Sequence, residues 1–259
     1  MPVSQREIRN VNRPPLNDPP PVVLWLRSLA FWLVFPVSVV VAGTLLLFLF
    51  PLPHRRRWKL VSVWVSFILW WLAVTCRLYF EVRGAEHITS TASIVFAKHQ
   101  STWETIALQK IFPPQVWVAK RELLWLPFFG WGLALMKTIA IKRGTGRAAV
   151  QQLVTEGKSR LDEGLWVIIF PEGTRIPPGK KGRYRIGGAV LAEQSGYPII
   201  PVAHNAGEYW PRRSFIKRPG TIQVLIGPPI SPVGRSAQEI LDEAATWIEA
   251  RMAEITTLK

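Results

Sequence analysis

The sequence predicts an α/β fold, a mixed, largely parallel sheet covered by helices, with an N-terminal hydrophobic helical membrane segment in front of it. Three observations carry this. Seven short apolar runs punctuate residues 78 to 227. Between several of them lie stretches with a helical apolar period, and such alternation marks parallel strands joined by crossover helices. Ahead of them, Val22 to Phe50 is almost wholly apolar, longer than the roughly 20 residues a helix needs to cross the hydrocarbon core.

In chain order, residues 1–21 are polar and proline-rich, as in RPPLNDPPP at 13–21, and read as a disordered or extended tail. Residues 22–77 hold two apolar runs separated by the basic stretch HRRRWK at 54–59. The basic stretch should stay on the cytoplasmic side. One run is therefore expected to span or dip into the bilayer and the other to lie at its interface, leaving the rest of the chain cytoplasmic. The run is too long for a cleaved signal peptide, and no small-residue cleavage site closes it. Residues 78–259 form the expected main domain. Its strands are read at 78–82, 93–97, 115–119, 138–141, 165–170, 197–203 and 222–227, and its clearest helices at 102–112, 146–164 and 237–255.

Composition narrows the function classes. A formal charge of +15 would attract any polyanion, but 49% hydrophobic residues and 13 tryptophans fit a protein on or in a bilayer better than one on nucleic acid. Cys76 is the single cysteine, so no intramolecular disulfide can form. The four histidines, at 54, 87, 99 and 204, show no metal-ligand spacing, and no metal is expected.

Three polar clusters interrupt this apolar chain. In KHQSTWET, residues 98–105, a buried strand runs into His99 and Glu104. A strand that ends in polar residues and turns into a helix projects them at the sheet's carboxyl edge, where open α/β folds bind ligands. His99 could take a proton at working pH while Glu104 orients its ring. Ser101 to Glu104 also spells a capping box, in which Glu104 would bond only backbone. In LWVIIFPEGTR, residues 165–175, a second buried strand ends in Glu172, Gly173, Thr174 and Arg175. Gly173 permits a tight turn, Thr174 offers a hydroxyl, and Arg175 a planar fork of donors suited to phosphate. Glu172 could orient Arg175 or bind a substrate hydroxyl. The alternative is a surface turn with an incidental ion pair. Third, residues 119–144 carry Lys120, Arg121, Lys142 and Arg143 around an aromatic middle. That pattern suits either a phosphate head with an acyl tail or a helical hairpin lying on lipid.

The order of these clusters resembles the glycerolipid acyltransferase family, in particular the membrane-bound 1-acyl-sn-glycerol-3-phosphate acyltransferases. The family's histidine, four residues and acidic residue look like His99 and Glu104. Its second block is similar to Lys120, Leu123, Pro127, Gly130, Ile141 and Arg143. Its Phe-Pro-Glu-Gly-Thr-Arg block is present unaltered as Phe170 to Arg175, and its last block looks like Ile199 to Val202. Two departures are Glu104 where aspartate is commoner, and Met136 with Lys137 where small residues are frequent. The resemblance implies acyl transfer from acyl-CoA or acyl carrier protein to the sn-2 hydroxyl of lysophosphatidic acid, with no cofactor beyond that co-substrate; the alternatives are an acyltransferase for another lysophospholipid or lyso-aminolipid, and a non-catalytic membrane protein that binds anionic lipid. It implies His99 as general base and Glu104 as its partner. Arg175, Thr174, Gly173, Glu172, Lys120 and Arg143 would then lie about the substrate phosphate. The expected partners are membrane lipid, lysophosphatidic acid and the acyl donor, and not nucleic acid.

Overall fold

The computed structural model of the protein describes residues 19–142 and 144–258. Most of the expected N-terminal tail, and Arg143, lie outside them. The sheet has seven strands in the order β1-β7-β6-β2-β5-β3-β4. They are β1 (Leu78–Arg83), β2 (Ile94–Ala97), β3 (Gln115–Lys120), β4 (Ile139–Ile141), β5 (Trp166–Ile169), β6 (Ile199–His204) and β7 (Gly220–Ile226). Every neighbouring pair is parallel except β6 with β7, so β1 and β7 oppose the other five. The mixed, largely parallel sheet is thus as expected, and each apolar run contributes one strand. Residues Ile94 to Ala97 of β2 and Val167 and Ile168 of β5 have no solvent exposure. This explains why both strands read as continuous apolar runs without alternation.

The five strands running one way end together, so Lys98 and Phe170, which follow β2 and β5, and Lys120, which ends β3, lie at a single edge of the sheet. Helices α3 (Trp103–Ile111), α5 (Arg147–Asp162) and α8 (Ala237–Ile255) match the three helical stretches, and the short α4 (Phe129–Leu135) and α7 (Ala206–Tyr209) lie between them. A further helix, α6 (Gly187–Ser195), was not expected, because GGAVLAEQS opens on two poor helix formers. Gly188 is there for close approach, since a Cβ at that position would lie 2.4 Å from the Phe96 ring on β2.

The two apolar runs form helices α1 (Pro21–Phe48) and α2 (His54–Cys76), both long and apolar enough to cross a membrane. Neither stands apart from the main domain. Along α2 the Trp58 indole donates to Gln115 Oε1 at 2.9 Å, and Ser66 Oγ accepts from Lys110 Nζ at 2.7 Å. Val65, Ile68, Leu72 and Cys76 are buried in the shared core. On α1, Phe31 is fully buried, and a Cβ on Gly43 would lie 2.7 Å from the Phe128 carbonyl oxygen. Outward, α2 shows a helical stripe of Leu60, Val63, Phe67, Trp70 and Val74. The pair is therefore apolar on two faces, one toward the domain and one away from it.

Candidate active site

The site is built where β2 and β5, adjacent and parallel, reach their carboxyl ends. After β2 the chain continues the ladder for one residue, with Lys98 N–H donating to Val202 O at 3.0 Å, and then turns at His99. His99 Nδ1 lies 2.9 Å from Glu104 Oε1. That same oxygen accepts from the Gln100 and Ser101 amides at 2.8 and 2.7 Å. Bonding backbone amides and orienting the ring, which the sequence leaves as alternatives for Glu104, are thus done together by one oxygen at the start of α3, although the reciprocal capping box does not close: the N-cap is Thr102 and has no side-chain cap bond. Ser101 Oγ completes the turn by accepting from Trp103 N–H at 3.1 Å and donating to Trp210 O at 2.6 Å.

Glu104 has no solvent exposure. Burial pushes its carboxyl up, but the hydrogen bond from His99, the charges that His204 and His99 carry when protonated and the Ser101 amide outweigh it and hold the group below its ordinary range. An ionised carboxylate can only accept, so His99 donates from Nδ1 and its lone pair sits on Nε2. Nε2 makes no hydrogen bond among the described residues, and the His99 side chain is 15% exposed. The Phe170 ring stacks on the imidazole with centroids 4.1 Å apart, and Trp117 stacks behind Phe170 at 5.9 Å.

The turn after β5 holds the backbone of His99 from both sides. Glu172 Oε2 accepts from His99 N–H at 2.9 Å, and Ile176 N–H donates to His99 O at 2.8 Å. The other Glu172 oxygen pairs with Lys98 Nζ at 2.7 Å, and Lys98 pairs also with Glu249 of α8 at 2.8 Å. Tyr184 donates to Glu249 at 2.8 Å. Burial pushes the Glu172 carboxyl above its usual range, with Lys98 and the His99 amide pulling the other way. Glu172 was expected near the substrate phosphate. Both its oxygens are instead committed inward, to His99 and Lys98.

Gly173 has φ +66°, the left-handed turn its sequence position suggested, and its N–H donates to Phe170 O at 2.9 Å. Thr174 is exposed and Arg175 half-buried. Burial lowers the Arg175 guanidinium, Glu104 raises it and the Arg212 charge lowers it again. Arg175 therefore sits within electrostatic reach of the His99 partner. Arg175 Nε and Glu104 Oε2 are buried without a hydrogen-bond partner among the described residues. The Thr174 and Arg175 amides likewise donate to no described acceptor. Lys120 lies exposed at the same sheet edge, at the end of β3 beyond β5. Arg143 falls outside the described residues.

Four residues of this arrangement escape a sequence reading. Lys98 and Glu249 pair across 151 positions. Arg185 lays its guanidinium over the turn, its Nε 2.9 Å from where a Gly173 Cβ would stand, and Arg212 is felt at Arg175. Only Lys98 had a local signal, a charge directly after a fully buried strand. His204, by contrast, is buried with Nε2 2.7 Å from Lys98 O, and burial lowers its pKa. It supports the strand end and faces no opening.

A protein-family model described as acyltransferase matches residues 79–205, the stretch that contains this whole edge. The chain is 45% identical over 239 residues to a 1-acyl-sn-glycerol-3-phosphate acyltransferase of Pseudomonas aeruginosa, spanning 90% of this chain and 93% of that one. It belongs to the acyltransferase family. The family member 1-acyl-sn-glycerol-3-phosphate acyltransferase alpha of Mus musculus is 32% identical over 164 residues, 62% of this chain and 58% of its own. In fold the acyltransferase is similar to the crystal structure of the 1-acyl-sn-glycerophosphate (LPA) acyltransferase PlsC from Thermotoga maritima. The TM-score is 0.76 at 23% identity, covering 92% of this chain and 98% of that one.

Proposed function

We propose that this acyltransferase moves an acyl chain from an acyl thioester, acyl-CoA or acyl carrier protein, to the sn-2 hydroxyl of lysophosphatidic acid, giving phosphatidic acid. One observation carries the reading. Among the described residues His99 presents an unbonded Nε2 while Nδ1 is held by a buried carboxylate, and the residue after Arg175, Ile176, donates its N–H to His99 O at 2.8 Å. His99 Nε2 takes the proton of the acceptor hydroxyl as its oxygen attacks the thioester carbonyl. The tetrahedral intermediate then expels the thiolate, and the imidazolium returns the proton to that sulfur. Glu104 stabilises the imidazolium meanwhile. No acyl-enzyme is required.

Arg175 holds the acceptor phosphate, with Thr174 and Arg185 beside it and Lys120 further along the edge. Binding energy remote from the reacting hydroxyl is thereby used to place it. Glu172 acts through His99 as a positioning residue. The oxyanion needs donors other than Gly173 and Ser101, whose amides are already committed. The Thr174 and Arg175 amides, unengaged in the same turn, take that role.

The helix pair anchors this site to lipid. With one face of α2 against the domain from Trp58 to Cys76, both helices are read as lying in one leaflet, outward stripes in the acyl region. The basic run 54–59 then meets anionic headgroups on the cytoplasmic side of the inner membrane. In this reading residues 22–77 serve the main domain as a membrane-facing base.

The test is product analysis with purified protein in phospholipid–detergent micelles, given lysophosphatidic acid and, separately, acyl-CoA and acyl carrier protein. Wild type should yield phosphatidic acid from at least one donor, and His99→Ala should yield none while keeping its unfolding transition. Normal turnover by His99→Ala would rule the mechanism out.

A further inference from the structure

Lys217 has no solvent exposure, yet it forms no ion pair among the described residues. Its ammonium is enclosed by rings, 3.8 Å from the centroid of Trp32, 4.7 Å from Trp210, 5.2 Å from Phe31 and 5.8 Å from Phe215. Two of these rings come from α1 and two from the segment before β7. The ammonium donates to Phe215 O at 2.7 Å, and Trp32 Nε1 donates to the same carbonyl at 3.0 Å. The Lys217 amide donates to Ser28 Oγ of α1 at 2.9 Å. Burial pulls the lysine down to about 7, while the ring faces favour its charged form. A buried cation with one oxygen and four rings is a costly way to join a helix to a domain when leucine would do. The cage has an unusual neighbour on its other side. The carbonyl of Trp210 accepts from Ser101 Oγ at 2.6 Å, and the Ser101 amide donates to the Glu104 oxygen that holds His99.

We infer that Lys217 is a positioning residue for acyl transfer. Clamped between α1 and Trp210, it fixes the Trp210 carbonyl, which fixes Ser101, which sets the Glu104–His99 pair. The path runs α1, Lys217, Trp210, Ser101, Glu104, His99, with every link a contact of the folded chain. Seating α1 on the domain is then a condition for turnover as well as for membrane attachment. This inference rests on the His99–Glu104 reading above.

The experiment uses the full-length protein in phospholipid–detergent micelles with lysophosphatidic acid and the active donor, comparing Lys217→Met, Lys217→Arg, Ser101→Ala, Trp32→Leu and the Lys217→Met/Ser101→Ala pair. Lys217→Met should lower kcat by about tenfold and leave KM for the acceptor within about twofold, as expected when an interaction serves the transition state alone. Lys217→Arg should recover most of the loss, because the guanidinium also seats against aromatic faces. Ser101→Ala should lower kcat similarly, and the double variant should be no slower than the worse single one, since both act on one path. Trp32→Leu removes one ring and keeps the cation, and it should show a smaller kcat loss with the same unchanged KM. It serves if Lys217→Met does not fold. Folded Lys217→Met or Trp32→Leu protein with wild-type kcat, or effects of Lys217→Met and Ser101→Ala that multiply, would overturn the inference. If His99→Ala is inactive while these variants turn over normally, only this inference fails. If His99→Ala is active, the mechanism beneath it fails.

Discussion

The clusters that follow β2 and β5 begin alike, each after a buried four-residue strand, and end differently. After β2 nearly every polar atom is committed. His99 is bonded at N–H, C=O and Nδ1, and Glu104 Oε1 takes three donors. After β5 Glu172 and the Gly173 and Ile176 amides are committed, while among the described residues the Thr174 and Arg175 amides and Arg175 Nε have no partner. The first cluster holds a proton acceptor still. The second has donors left over for something that is not part of the chain. A base must be fixed before substrate arrives, and a binding group must stay unsatisfied until it does.

Breaking the committed side should have the largest effect. Glu104→Gln keeps the shape and loses the charge that fixes the ring tautomer. Its kcat should fall about 10³-fold, roughly 4 kcal/mol, with little change in acceptor KM. Steady-state kinetics checks this, and a loss under about threefold would mean that Glu104 only caps α3.

The next largest effect concerns stability and the bridge between the clusters. Lys98→Met would leave Glu172 and Glu249 facing each other in the interior, a cost of about 3 kcal/mol. The sign with pH is set by Glu172, whose carboxyl burial has already raised. A raised acid favours the fold below its unfolded pKa and loses that favour as pH rises through its folded one. The Lys98→Met penalty should therefore be larger at pH 8 than at pH 5, read from the thermal midpoint. Glu104 runs opposite. Its depressed carboxyl favours the fold above the ordinary carboxylate range and loses that as pH falls, so Glu104→Gln should flatten the acid side of the stability curve. Equal penalties for Lys98→Met at both pH values would mean that the brace is not ionic.

On the open side, Arg175→Ala should raise acceptor KM by about 10- to 100-fold, the range of one charge-assisted contact, with a smaller change in kcat. Arg175→Lys should restore part of it, because an ammonium cannot bind two phosphate oxygens in plane. A kcat collapse with unchanged KM would move Arg175 from the substrate to the base.

How much of this was legible follows from where each signal lives in the chain. The strands were readable because full burial leaves uninterrupted apolar runs, and His99 with Glu104 because both lie within one turn of a helix start. Glu172 was readable as polar and conspicuous but not as inward-facing, since its partners are Lys98, far upstream, and a backbone amide. The Lys98–Glu249 pair, the Arg185 guanidinium and the Lys217 cage depend on chain segments that only the sheet order brings together. Hydropathy could not tell the outward stripe of α2 from its domain-facing one, because both are apolar. It suggested one run spanning or dipping into the bilayer and the other lying at its interface, and could not show that both would also pack along the domain.

The smallest effects separate the cations that touch the turn from those that only share its edge. Arg185 lies against Gly173, whereas Lys120 stands at the end of β3, beyond β5, and is exposed. Arg185→Ala should raise acceptor KM about fivefold and Lys120→Ala about twofold, consistent with exposed charges of about 1 kcal/mol or less. Salt sharpens the contrast. At high ionic strength an exposed cation more than a few ångströms from its target is screened, so the Lys120→Ala effect should vanish near 0.5 M salt. The half-buried Arg175 should keep most of its effect there. If Lys120→Ala retained its effect in high salt, Lys120 would be in direct contact with the phosphate, and the binding site would extend across three strands of the edge.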